Sequence, residues 1–195
     1  MAIRNLYCVP LIFPGVPEEL TIKYWKDVED QITKLEGTFG QVKKLYHEAN
    51  FYAEEEGLRN IHRINERASE FINSKVKNGA IVQPLEERET VLEIYDCQLF
   101  FTLGLSSKVV SEKVSKMVPE IMGIYEQAIR NRREHIPQQI MDTLPEGETG
   151  LLIMREEERA IIQFPPEINV ILVMPPVLSE IDIWQKENLY PNAQA

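Results

Sequence analysis

Four carboxylates, Glu86, Glu89, Glu93 and Asp96, recur at spacings of three, four and three residues. On a helix that spacing puts them on one face. Clustered carboxylates can hold a hard divalent cation or form an acid–base pair with divided pKa values. The same spacing also suits a solvated helix face with charged partners such as Arg88. The stretch lacks the Glu-x-x-His pairs of a di-metal bundle.

The run Arg130-Asn-Arg-Arg-Glu-His135 is the one dense positive patch in the chain. Guanidinium groups take carboxylate or phosphate through forked hydrogen bonds. Arg130, Arg133 and His135 are therefore candidate anion ligands, and pairing with the chain's own acids is the competing reading. His47 ends a short strand-like segment with Val42, Leu45 and Tyr46 and precedes Glu48. If that segment is a strand, His47 stands where open α/β sheets place their ligand crevice. His62 and Glu66 make an i, i+4 pair of the surface kind. The histidines lack metal-ligand spacing, so no bound metal and no cofactor is expected.

Missing motifs narrow the chemistry further. The chain has no glycine-rich phosphate loop, no Gly-x-Ser-x-Gly elbow and no His-Glu-x-x-His. Cys8 and Cys97 lack both metal spacing and an activating neighbour, so both read as buried free thiols. Glu156-Glu157-Glu158-Arg159 reads as a charged hairpin between strands.

These side chains must be positioned by a mixed set of elements. Ile3 to Phe13 is β-prone and stops at Pro14-Gly15. Pro17-Glu18-Glu19 opens a helix, with Leu20, Tyr24, Val28, Ile32 and Leu35 on its buried face and Gly37 as its end. Val42, Leu45 and Tyr46 suggest a second strand. Helices are expected over 53–78, stopped by Asn78-Gly79, and over 87–103, the latter with Val91, Leu92, Tyr95, Leu99 and Phe100 inward. A further helix begins at Ser106 or Ser107 and runs to about Leu144, with room for a break at Pro119 and a kink or a new start at Pro137. Glu148–Arg155, Ala160–Phe164 and Ile168–Met174 read as closing strands, the last of them central or near-central and apolar on both faces. Pro175-Pro176 closes the sheet, and a final helix starts near Val177. The tail from Tyr190 to Ala195 reads as frayed. The order predicts one α/β domain over residues 1–195: a small, mostly parallel sheet flanked by helices, with a helix-rich section over about 53–144.

Composition sets the outer bounds. With 195 residues the chain can bury a sizeable core. A net charge of −10 argues against nucleic acid and anionic membrane partners. No run reaches the length of a membrane helix, and no signal peptide is visible. A cytoplasmic, reducing setting is expected.

Several segments carry a resemblance: Arg4-Asn-Leu-Tyr-Cys-Val-Pro-Leu-Ile12, Tyr95-Asp-Cys-Gln98 with Gly104-Leu-Ser-Ser107, Arg133-x-x-Ile136, Gly150-Leu-Leu-Ile153 and Val173-Met-Pro-Pro176. Together they resemble a conserved bacterial and archaeal protein family, itself remotely similar to TraB and erythromycin-esterase type α/β proteins. That resemblance implies a histidine after the first strand, another after a late strand, and an arginine on the preceding helix. Here Ile12-Phe13-Pro14 and Met154-Arg-Glu-Glu-Glu158 lack both histidines, and only Arg133, with Arg130 beside it, matches. A degenerate or repurposed site follows from the resemblance. The expected function is a non-catalytic, homo-oligomeric protein binding a small anion or a protein partner through Arg130, Arg133, His135 and His47. The alternatives are a metal-dependent hydrolase drawing on Glu86, Glu89, Glu93, His47 and His135, and a structural subunit of a complex.

Overall fold

A computed structural model describes residues 3–12, 14–104 and 111–188. Its strands are β1 (Arg4–Pro10), β2 (Val42–His47), β3 (Ile81–Val82), β4 (Thr149–Met154) and β5 (Ile168–Leu172). Its helices are α1 (Glu18–Phe39), α2 (Glu54–Ile64), α3 (Ser69–Lys77), α4 (Arg88–Gly104), α5 (Ser111–Thr143), α6 (Glu156–Ala160) and α7 (Leu178–Asn188). All five strands are parallel, in the order β3-β2-β4-β1-β5. Parallel neighbours need crossovers, and the crossover helices cover both faces.

Alternation along the strands divides the core in two. Tyr7, Val9, Leu45, Leu151 and Ile153 face a layer that includes Tyr24, Val28 and Ile32 of α1, Phe71 and Ile72 of α3, and Ile181 of α7. Leu6, Cys8, Tyr46, Leu152 and Met154 face Ile136, Ile140 and Leu144 of α5. Every residue of β4 is buried, as a strand with neighbours on both edges and helices on both faces requires.

Several boundaries differ from the sequence expectation. α1 runs past Gly37 and stops at Gly40, whose φ of +102° is open to glycine. The helix expected over 53–78 breaks at Asn65 (φ −144°), then resumes through a 3₁₀ turn, Glu66–Ala68, and α3. β3 is only two residues long, too short to show a period. α5 continues through Pro119 and Pro137 without a new start. Glu156–Ala160 is a short helix rather than a hairpin, and Ala160–Phe164 forms no strand. The largest correction concerns Ile168–Met174. It supplies the edge strand β5, with Leu172 46% and Met174 57% exposed, and the central place belongs to β4. The expectations for Phe13, Ser106, Ser107 and the tail 190–195 lie outside the described residues. Among the described residues, no helix is long and apolar enough to cross a membrane.

Gly57 lets α2 approach the sheet. A Cβ there would stand 2.3 Å from the Tyr52 carbonyl oxygen and 2.7 Å from Val82 Cγ1. In an open helix, Gly→Ala is worth about 1 kcal/mol of stability. Here overpacking reverses the sign, and Gly57→Ala is expected to destabilise by about 1–3 kcal/mol. Urea unfolding checks this, and a variant as stable as the parent would contradict it.

Candidate functional site

β2 ends at His47, and the next residues build a buried polar hub. Ala49 takes a left-handed φ of +61°, uncommon outside glycine. The turn is held by side chains. Asn50, fully buried, donates to the Tyr52 and Gln83 carbonyls at 2.8 and 3.0 Å. Asn60 donates to the Ala49 carbonyl and to Asn50 Oδ1, both at 3.2 Å. Backbone strain sustained by several partners is a feature of functional loops.

Beside this hub lies an ionic network. Arg132, 8% exposed, projects from α5 into it. It grips Glu86 with Nε (2.8 Å) and Nη2 (3.0 Å), reaches Glu48 with Nη2 (3.2 Å) and Glu158 with Nη1 (2.5 Å). Glu48 also accepts from Arg155, through its backbone N–H (2.8 Å), Nε (2.9 Å) and Nη2 (2.6 Å). Glu86 further accepts the Ala49 N–H at 3.1 Å. Burial pushes the Glu48 carboxyl upward, but the hydrogen bonds from Arg155 and the charges of Arg155 and Arg132 outweigh it and hold it below the usual glutamate range. Burial works against the Arg132 charge too, and the Glu86 hydrogen bonds with the three surrounding carboxylates overcome it. β2, the β3–α4 segment, α5 and α6 thus meet at one guanidinium.

Next to the network a cleft of about 790 Å³ opens beyond the C-terminal ends of β1 and β4. Open α/β sheets bind ligands in that position. Leu11, Ile12, Trp25, Ile64, Leu178 and Ile181 supply its apolar lining. Its charged lining is Arg63, Arg67 and Arg155 against Glu66, Glu156, Glu157, Glu158 and Asp182. Several of these are already engaged: Arg155 with Glu48, Glu158 with Arg132, and Glu156 with Arg159. Arg67 donates to the Val16 carbonyl (2.5 Å) and to Thr21 Oγ1 (3.2 Å), which fixes it across the start of α1. Arg63 donates to Asn60 Oδ1 at 3.0 Å. Trp25 stacks on Phe71, and its buried indole Nε1 has no hydrogen-bond partner among the described residues.

The residues singled out from the sequence scatter. His47 is buried, with Nδ1 2.6 Å from the Glu48 carbonyl and Nε2 3.1 Å from the Asn65 side-chain amide. An amide N–H donating to Nε2 requires the neutral ring with its proton on Nδ1. Burial likewise lowers the imidazole pKa, against the opposing pull of Glu48 and Glu86. His47 therefore holds Asn65, which lines the cleft. Arg130 is exposed and donates to Gln127; Arg133 is exposed; His135 lies 3.5 Å from Glu87. None of these four lines the cleft. Glu89, Glu93 and Asp96 lie on an exposed face of α4, whereas Glu86 precedes the helix and turns inward. No group of three His, Cys, Asp or Glu side chains among the described residues is disposed to hold a metal ion.

Arg132, between the two arginines that were singled out, had a legible signal. It lies four residues from both Ala128 and Ile136, on the buried stripe of α5. A charge inside an apolar stripe must find buried partners. No protein-family model, curated protein or solved structure matches this chain.

Proposed function

We propose that the chain is a non-catalytic cytoplasmic protein that binds a small organic anion in the cleft above β1 and β4. One observation carries this reading: Arg63 and Arg67 border a concavity of about 790 Å³ whose apolar wall includes Trp25, Leu178 and Ile181. That volume falls within the roughly 300–1,000 Å³ of small-molecule sites. The two guanidiniums supply forked donors for a carboxylate or phosphate, and the apolar wall supplies area for a hydrocarbon body. The acids on the remaining rim, Glu66, Glu157 and Asp182, disfavour a highly charged anion.

The non-catalytic half of the reading rests on the chemistry of the available groups. His47 has both ring nitrogens engaged. Burial pushes the Cys8 thiol up to about 12, the nearby Arg159 opposing and Glu156 adding to the shift, so it is not a ready nucleophile. Two free buried cysteines suit a reducing setting. A repurposed site of the TraB and erythromycin-esterase type, its histidines replaced, fits the same reading.

The chain has two tryptophans, so Trp184→Phe leaves Trp25 as sole reporter. Titration with hexanoate, phenylacetate and inorganic phosphate is expected to change its emission saturably with the two organic anions and weakly with phosphate. Arg63→Ala and Arg67→Ala should each weaken binding at least tenfold, about 1.4 kcal/mol. No saturable response to any probe, or unchanged affinity in both variants, would refute the proposal.

A further inference from the structure

α4 is apolar on two sides. Cys97 is buried, and Phe101 meets Tyr125 of α5 edge-on at 6.2 Å. Among the described elements, α4 packs extensively with α5 alone. Leu92, Tyr95 and Leu99, which the sequence places inward, instead lie on its other side with Leu103, exposed by 44%, 55%, 37% and 65% respectively. Their spacing of three, four and four residues makes one stripe, as on the seam of a coiled coil. Met117 and Ile124, seven apart on α5, add exposed apolar surface at 48% and 37%. A two-helix arm of this kind cannot bury both sides of α4 by itself.

We propose that the arm is a homodimer interface in which two copies of the α4–α5 pair form an antiparallel four-helix bundle. The stripe is self-complementary. Under a two-fold axis near residue 97, Leu92 meets Leu103 of the second copy and Tyr95 meets Leu99, the reciprocal pairing of an isologous contact. Charge selects the direction. Glu89, Glu93 and Asp96 all lie in the first half of α4, and from Cys97 to Gly104 the helix has no charged residue. Parallel docking would oppose the two acidic halves. Antiparallel docking sets each against the uncharged half of its partner. The six apolar residues expose on the order of 600 Å² per chain, most of the roughly 800 Å² that each partner gives a standard interface.

Sedimentation velocity of the full chain at micromolar concentration tests the interface. The mass expected is twice 22.6 kDa. Leu99→Glu and Tyr95→Glu, at exposed positions, are expected to keep the parent's circular dichroism and to raise the dimer dissociation constant at least 100-fold. A monomeric parent, or variants as dimeric as the parent, overturns the proposal. Mixing Tyr95→Cys chains with Leu99→Cys chains under mild oxidation tests the direction. Mixed disulfides should dominate, and a predominance of Tyr95→Cys chains linked to one another overturns the antiparallel bundle.

Discussion

Replacing Arg132 by methionine is expected to destabilise the protein by about 3–5 kcal/mol, the usual cost of removing one partner from a buried ion pair. The size follows from what is left behind. Glu86 would lose its forked partner while its side chain remains 1% exposed, and Glu48 would keep only Arg155. Arg132→Lys should fall between, because an ammonium cannot span Glu86 and Glu158 with the same fork. Adding Glu86→Gln to Arg132→Met should restore part of the loss, because the orphaned carboxylate is then neutral. Acid narrows the gap. The folded-state pKa of Glu48 is depressed, so its contribution is complete above the ordinary glutamate pKa and is lost as the pH falls through the folded value. The parent has more of that contribution to lose, and the two urea midpoints should converge as the pH drops below about 4. A gap under 1 kcal/mol at pH 7, or one that widens in acid, would count against the network as described.

Leu151→Asp is expected to abolish folding, whereas Leu172→Asp should leave a soluble protein that melts cooperatively. Leu151 is fully buried on the central strand, among the side chains that α1, α3 and α7 cover. A carboxylate there would be desolvated without a partner, a cost of several kcal/mol, comparable with the whole stability of a domain. Leu172 is 46% exposed at the edge, where an aspartate keeps its water. Circular dichroism and thermal melts of the pair decide the matter. Similar behaviour of the two variants would contradict the strand order.

The contrast between these leucines also shows what the sequence made legible. Apolar patterning gave the existence of β1, β2, β4 and β5, and 3.6-residue periods gave α1, α4 and, as one helix, α2 and α3, whereas α6 read as a hairpin. Strand order was hidden, because Ile168–Leu172 and Thr149–Met154 are both mainly apolar stretches and composition does not say which has two neighbours. The site was less legible still. The arginines that looked free, Arg130 and Arg133, point away from α5's apolar stripe, while Arg132 lies within it. Arg63 and Arg67 fall inside the one helix expected over 53–78, where nothing marked them out. The break at Asn65 brings them to the cleft, and that break is held by His47, eighteen residues earlier in the chain. Contacts over such separations leave no local signature.

The place of β4 has a consequence for the order of events in synthesis. β1 and β2 emerge first, yet they are not neighbours; each borders β4, whose residues come about a hundred positions after β2 ends. Until residue 154 has emerged, β1 has no strand to pair with and β2 has only the two-residue β3 beside it. The sheet therefore closes late, and a shorter nascent chain leaves β1 and one edge of β2 unpaired. Truncation just before Thr149 would remove the one strand that connects β3-β2 with β1, so the first three-quarters of the polypeptide cannot by itself assemble the sheet.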